Sequence, residues 1–172
     1  MCRDFRTFIN IGLLGLFVIF SSACSGNKSN FIQGTQIPRT AMNEDIVKRV
    51  EEYRAAIEGR DAAALLLMAS PDYWEDSGTS SGEDDYGYEG LKSVLATRFQ
   101  EANSIRYSVR YKQVQLKGCE IEETCRAFVD LLVDASFTAN DARGTRKRYD
   151  KRDQNQLVFK RRDEKWLILR GM

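Results

Sequence analysis

The sequence predicts an α+β domain, with helices in its first half and about four long antiparallel strands in its second. Three observations carry this. The first is Cys125 to Thr138, CRAFVDLLVDASFT, which alternates without a break. Ala127, Val129, Leu131, Val133, Ala135 and Phe137 share one face; Phe128, Asp130, Leu132, Asp134, Ser136 and Thr138 share the other. Apolar spacing of two residues over this length marks a strand with at least one buried face. The second is the recurrence of Ile46, Val50, Tyr53 and Ile57 at helical spacing, with Val47 beside them. The third is Ile105, Tyr107, Val109 and Tyr111, which alternate with Arg106, Ser108, Arg110 and Lys112, a strand with an aromatic face and a basic face.

Bulk properties narrow the function classes. The 172 residues have room for a signal, a tether and one domain. With 42% hydrophobic and 30% charged residues the chain belongs with folded domains and not with disordered ones. A net charge of +1 gives no bulk attraction to nucleic acid or acidic lipid. The chain has no His, which removes the commonest general base, the commonest metal ligand and every Ser-His or Cys-His pairing.

Residues 1–23 read as a secretion signal. Arg3 and Arg6 give a short basic start, and Phe8 to Phe20 is an apolar run too short to span a bilayer comfortably. Ser21-Ser22-Ala23-Cys24 follows, and small residues directly before a Cys resemble the lipobox of bacterial lipoproteins. That resemblance implies a diacylglycerol on the Cys24 thiol, cleavage before it, and a membrane anchor of two or three acyl chains. Ser25, in place of Asp, implies the outer membrane by likeness to enterobacterial sorting. Residues 24–42 are polar and lack a sustained period, as expected of a flexible tether. The domain is then expected over residues 43–172.

Asn43 is the expected N-cap of the first helix, with Glu44 and Asp45 in its first turn and Gly59 at its end. Asp61 caps a second helix, Ala62 to Ala69, apolar nearly all round and expected to be buried; Pro71 closes it. Asp72 to Glu75 is a short extended piece carrying Tyr73 and Trp74. Asp76 to Tyr88 is an acidic loop. Its Glu83, Asp84 and Asp85 lack the carboxylate ladder and closing Glu of a calcium loop, so it is expected to be solvated. A third helix, Glu89 to Ala102, turns Leu91, Val94, Leu95 and Phe99 inward.

In the strand half, the apolar phase shifts between Tyr111 and Val114, which predicts a bulge near Lys112-Gln113. Cys119 and Cys125 flank the next turn, and in an oxidising envelope they are expected to form a disulfide. A further strand covers Arg148 to Arg161 and a last one Trp166 to Arg170. Arg143, Arg146, Lys147, Arg148, Lys151 and Arg152 cluster at the turn between the two long strands; with Tyr149 as the one aromatic among them they read as a solvated tip and not a nucleic-acid surface.

Ile57-Glu58-Gly59-Arg60-Asp61 through Ser70-Pro71-Asp72, and Phe159 to Ile168 with its turn before Trp166, occur in an order that resembles the NTF2-like superfamily, including SnoaL-like and ketosteroid-isomerase-like domains. The resemblance implies a cystatin-like cone, a curved antiparallel sheet wrapped around three helices with one open end. It also implies dimers through the open sheet face, for which Ile105 to Lys112 is the candidate surface. It implies no single activity, since one fold serves isomerases, hydrolases, scaffolds and ligand binders.

The candidate pocket groups are Tyr53, Tyr73, Asp130 and Asp134, with Trp74, Phe128, Leu132 and Trp166 as apolar walls and Arg170 beside them. Two readings stay open for the carboxylates. In an apolar cavity Asp130 or Asp134 would have a raised pKa and act as acid or base. On a solvated face they would pair with Arg106, Arg110 or Arg152, and the abundance of basic residues on both neighbouring strands favours that pairing. No cofactor or metal is expected. The expected function is a lipid-anchored envelope protein whose cone binds a small apolar ligand or a partner protein; the alternative is an isomerase- or hydrolase-type enzyme.

Overall fold

The computed structural model describes residues 30–76, 80 and 82–172. The expected signal peptide, Cys24 and the first part of the tether lie outside the described residues, as do residues 77–79 and 81 of the acidic loop. The element order is α1 (Ala41–Gly59), α2 (Ala62–Met68), β1 (Trp74–Glu75), β2 (Tyr86–Gly87), α3 (Tyr88–Glu101), β3 (Ala102–Lys117), β4 (Arg126–Asn140), β5 (Arg146–Arg162) and β6 (Lys165–Arg170). The last four strands form one antiparallel sheet in sequence order, not closed on itself, and β1 pairs with β2 apart from it. This is the α+β cone expected from the sequence.

The sheet is organised by one continuous inner face. In register across β3 and β4 stand Val109 with Val133, Tyr111 with Leu131, Val114 with Val129, and Leu116 with Ala127. The pairing slips between Tyr111 and Gln113, which is the bulge the sequence phase predicts, and it returns Val114 and Leu116 to the inside. On β5, Leu157 and Phe159 continue the same rows opposite Val129 and Ala127. Ile46, Val50 and Tyr53 of α1, Leu65 of α2, and Leu91 and Leu95 of α3 close over this face and complete the core. The buried apolar residues run from Ile37 to Ile168 among the described residues.

Several boundaries differ from the sequence expectation. Helix α1 starts at Ala41, and Thr40, not Asn43, is its N-cap, its side chain accepting from the Asn43 N–H. Asn43 Nδ2 instead donates to Pro38 O, and Phe31 bridges to Pro38. Ile37, within the stretch expected to be a tether, is buried. Gly59 is the last helical residue and Arg60 takes the left-handed position at φ 54°, held there by Arg60 Nη1 donating to Ala102 O at 2.6 Å. Helix α2 is not buried all round, since Leu67 is 80% exposed.

Strand β6 pairs β5 only over Val158 to Arg162. The stretch of β5 from Arg146 to Gln154 is therefore a sheet edge, and its charged, exposed side chains oppose pairing with another chain. Cys119 and Cys125 are joined by a disulfide, Cα to Cα 4.0 Å, that ties off the turn before β4.

The face assignment is checkable by truncation. Leu131→Ala opens the core and should cost about 2–5 kcal/mol, whereas Leu132→Ala, on the opposite face of the same strand, should cost about 1 kcal/mol or less. Urea unfolding of both variants measures this; a larger loss for Leu132→Ala would mean the strand is turned the other way.

Candidate ligand cavity at the open end of the cone

The helices cover only part of the inner sheet face. Where they stop, a cavity of ≈ 580 Å³ opens, within the range of about 300–1,000 Å³ found for small-molecule sites. Its floor is the end of β4, namely Val133, Ala135 and Phe137, flanked by Ile105 and Tyr107 of β3. Its walls are Tyr53 and Ile57 of α1 and Leu95, Arg98 and Phe99 of α3. Lys151, Asp153 and Asn155 of β5 and the terminal Gly171 and Met172 complete it. These floor residues belong to the face that forms the core further along β4: core and cavity are one surface, covered and uncovered.

This geometry corrects half of the candidate site. Phe128, Asp130, Leu132 and Asp134 lie on the outer face of the sheet and not in the cavity. The mixed polarity of that face reflects solvent on the outside, not a wet interior. Asp134 is paired with Arg152 and, at 3.2 Å, with Arg110. The Arg152 guanidinium, with Arg110 beside it, holds the Asp134 carboxyl below its ordinary value. Asp130 accepts from Gln113 Nε2 at 2.6 Å and Gln156 Nε2 at 2.7 Å. Phe128 is covered by Lys117, whose Nζ stands 4.9 Å from the ring centre. The cross-strand pairing weighed from the sequence is thus the arrangement of Asp134, and glutamines take the place of arginines around Asp130.

The aromatic candidates divide. Tyr53 lines the cavity and meets Tyr107 edge-on, ring centres 6.0 Å apart. Tyr73 is buried behind the wall and donates its hydroxyl to Glu75 Oε2 at 2.7 Å. Trp74 is 54% exposed, pointing away. Trp166 is buried in the core, with Arg161 over its ring and its carbonyl accepting from Arg49 Nε. The aromatic row of Ile105 to Tyr111 also faces inward, and Arg106, Ser108 and Arg110 form the outer surface of β3.

Sequence reading missed Glu75, Arg98 and Asp153. The signal was available for Glu75, which directly follows the two aromatics on an extended piece, but its partners come from the far end of the chain. Gly171 N–H donates to Glu75 Oε2 at 2.7 Å, and Asn155 Nδ2 donates to Gly171 O at 2.8 Å. Gly171 has φ 100° and lies so near β5 that an added Cβ would stand 2.2 Å from Gln156 O; only glycine fits both demands. Asp153 is paired with Lys151 at 2.9 Å, and that ammonium holds the carboxyl below its ordinary value. The cavity's tyrosines shift the other way. Burial raises Tyr53 well above a free phenol, with Tyr107 adding to it, and burial likewise raises Tyr107. Both rings keep their protons and face the cavity as neutral groups.

No family model matches the sequence, and no curated protein matches it. Solved structures do. A conserved protein from Planctomyces limnophilus superposes with a TM-score of 0.62 at 16% identity, over 77% of this chain and 94% of that one. A ketosteroid isomerase-like protein from Erwinia carotovora atroseptica gives 0.59 at 16% identity, over 77% and 95%. A dehydratase-type protein of the NTF2-like family from Streptomyces avermitilis gives 0.58 at 13% identity, over 75% and 92%. At these identities the likeness is one of fold, and the chain has the NTF2-like fold.

The raised phenols carry a pH signature. Above about pH 10, where an unfolded tyrosine ionises, the folded chain retains protons that the unfolded chain has lost, so stability falls as pH rises. Tyr53→Phe should make that decline shallower. Urea unfolding at pH 8 and pH 10.5 tests it; an unchanged difference between the two pH values would contradict the placement of Tyr53.

Proposed function

We propose that this is a lipid-anchored protein of the bacterial envelope whose cone binds a small, largely apolar ligand at its open end without transforming it. The observation that carries the reading is the partly uncovered apolar floor, in which the core face of β4 runs from buried Val133 through half-buried Ala135 to exposed Phe137 along an open cavity. A sheet face this apolar is stabilised by covering it, and the helices leave that stretch to another molecule. The anchor is supported by Ser21-Ser22-Ala23-Cys24 behind the apolar run Phe8 to Phe20.

The non-catalytic part of the reading is supported by the state of the acidic groups. Asp130 and Asp134 are on the outer face and engaged there. In the cavity, Asp153 is held ionised by Lys151, which makes it a weak base. Glu75 has one oxygen occupied by the Tyr73 hydroxyl and the Gly171 N–H. The second reading, acid–base chemistry of the isomerase or dehydratase kind, is favoured by one observation: Glu75 lines the cavity and keeps its other oxygen.

Native mass spectrometry of residues 25–172, secreted to the periplasm without Cys24 and purified gently, tests the first reading. The wild type should carry a small-molecule adduct, and Ala135→Trp, which fills the cavity from its floor, should lose it. Palmitate labelling should require Cys24. A clean mass for the wild type, or an adduct that survives Ala135→Trp, would contradict the cavity as the binding site; turnover of the bound molecule abolished by Glu75→Gln would move the assignment to the enzyme.

A further inference from the structure

We propose that the cavity takes an amphipathic anion, its apolar body along Phe99, Ile105, Val133 and Ala135 and its carboxylate on Arg98 at the mouth. This rests on the cavity being a ligand site and adds the chemical class of the ligand.

Most charges around the cavity are already matched. Lys151 is paired with Asp153 at 2.9 Å. On α1, Arg54 is paired with both Glu51 and Glu58, and Arg49 with Glu52. Arg60 donates to Ala102 O. Arg98 lines the wall and, among the described residues, has neither an ion-pair partner nor a hydrogen-bond acceptor. It shares the cavity lining with Tyr53, whose phenol feels its charge. A guanidinium offers five donors in a planar fork that fits a carboxylate with two parallel bonds.

The carboxylates in the lining do not occupy that role. Asp153 is neutralised by Lys151, and Glu75 is turned to Tyr73 and Gly171. Glu101, three residues beyond Arg98, is exposed at the helix end and forms no ion pair with it. The cavity is therefore apolar along its floor, with one unmatched cation where the wall meets solvent. A chain-like molecule with a charged head satisfies both: the body leaves water, while the head stays at the exposed mouth and avoids the cost of burying a charge.

The test is isothermal titration calorimetry on residues 25–172 with decanoate, decanol and decyltrimethylammonium below their micelle concentrations. These share one apolar body and differ in the head. Decanoate should bind about tenfold or more tightly than decanol, with the ammonium weakest. Arg98→Gln should bring decanoate down to the level of decanol and leave decanol unchanged. If decanol binds as tightly as decanoate, or Arg98→Gln leaves decanoate unaffected, the anionic head is overturned while the cavity stands. If none of the three binds, the cavity itself is overturned as a ligand site.

Discussion

The structure depends on one apolar face of β4. Ala127, Val129 and Leu131 are fully buried beneath the helices, and Val133, Ala135 and Phe137 carry the same face onward to the open end. Its two neighbouring strands are registered against it. Leu116, Val114, Tyr111 and Val109 meet it from β3, and Phe159 and Leu157 from β5. The bulge at Lys112 matters because a side-chain period of two would otherwise turn Val114 and Leu116 outward. With the slip between Tyr111 and Gln113, a strand of sixteen residues keeps its apolar side inward throughout.

From this follows the division of the sheet into covered and uncovered parts. Helix α1 is long enough to reach from the closed end to the cavity, where Tyr53 and Ile57 form a wall. It is clasped to the sheet through polar contacts at its flank. Glu58 accepts from the Tyr107 N–H at 2.9 Å and Glu51 from the Tyr111 hydroxyl at 2.8 Å, so carboxylates of α1 serve the inner edge of β3. The backbone hydrogen bond from Tyr107, with Arg54 beside it, keeps Glu58 below its ordinary pKa. The floor beyond these contacts has no helix over it, and that is the cavity.

The periodicities that define the elements were legible in the sequence, because each is a local pattern. The alternation of Cys125 to Thr138, the phase shift after Tyr111 and the stripe of Ile46 to Ile57 all gave the observed faces. What was not legible was which side of the central strand lines the pocket. The polar–apolar face of Phe128, Asp130, Leu132 and Asp134 looked suited to a wet cavity. It is instead the outer face, where Asp134 is matched by Arg110 and Arg152 and Phe128 is shielded by Lys117. Periodicity identifies two faces but does not say how far the helices extend along the inner one. Glu75 and Arg98 were missed for the same reason. Glu75 gains its place from Gly171, 96 residues away, and Arg98 is one charge among many on a helix until its lack of a partner can be seen.

A ligand held as proposed lies on the inner face of β4 and not on the outer one. Amide chemical-shift mapping of residues 25–172 during titration with decanoate tests this most directly, because inner and outer residues alternate along one strand. The account predicts the largest shifts around Tyr107, Phe99 and the Val133 to Phe137 stretch, removed together by Ala135→Trp. Shifts that survive Ala135→Trp and centre on Gln113, Asp130 and Gln156, which meet across the outer face, would contradict it.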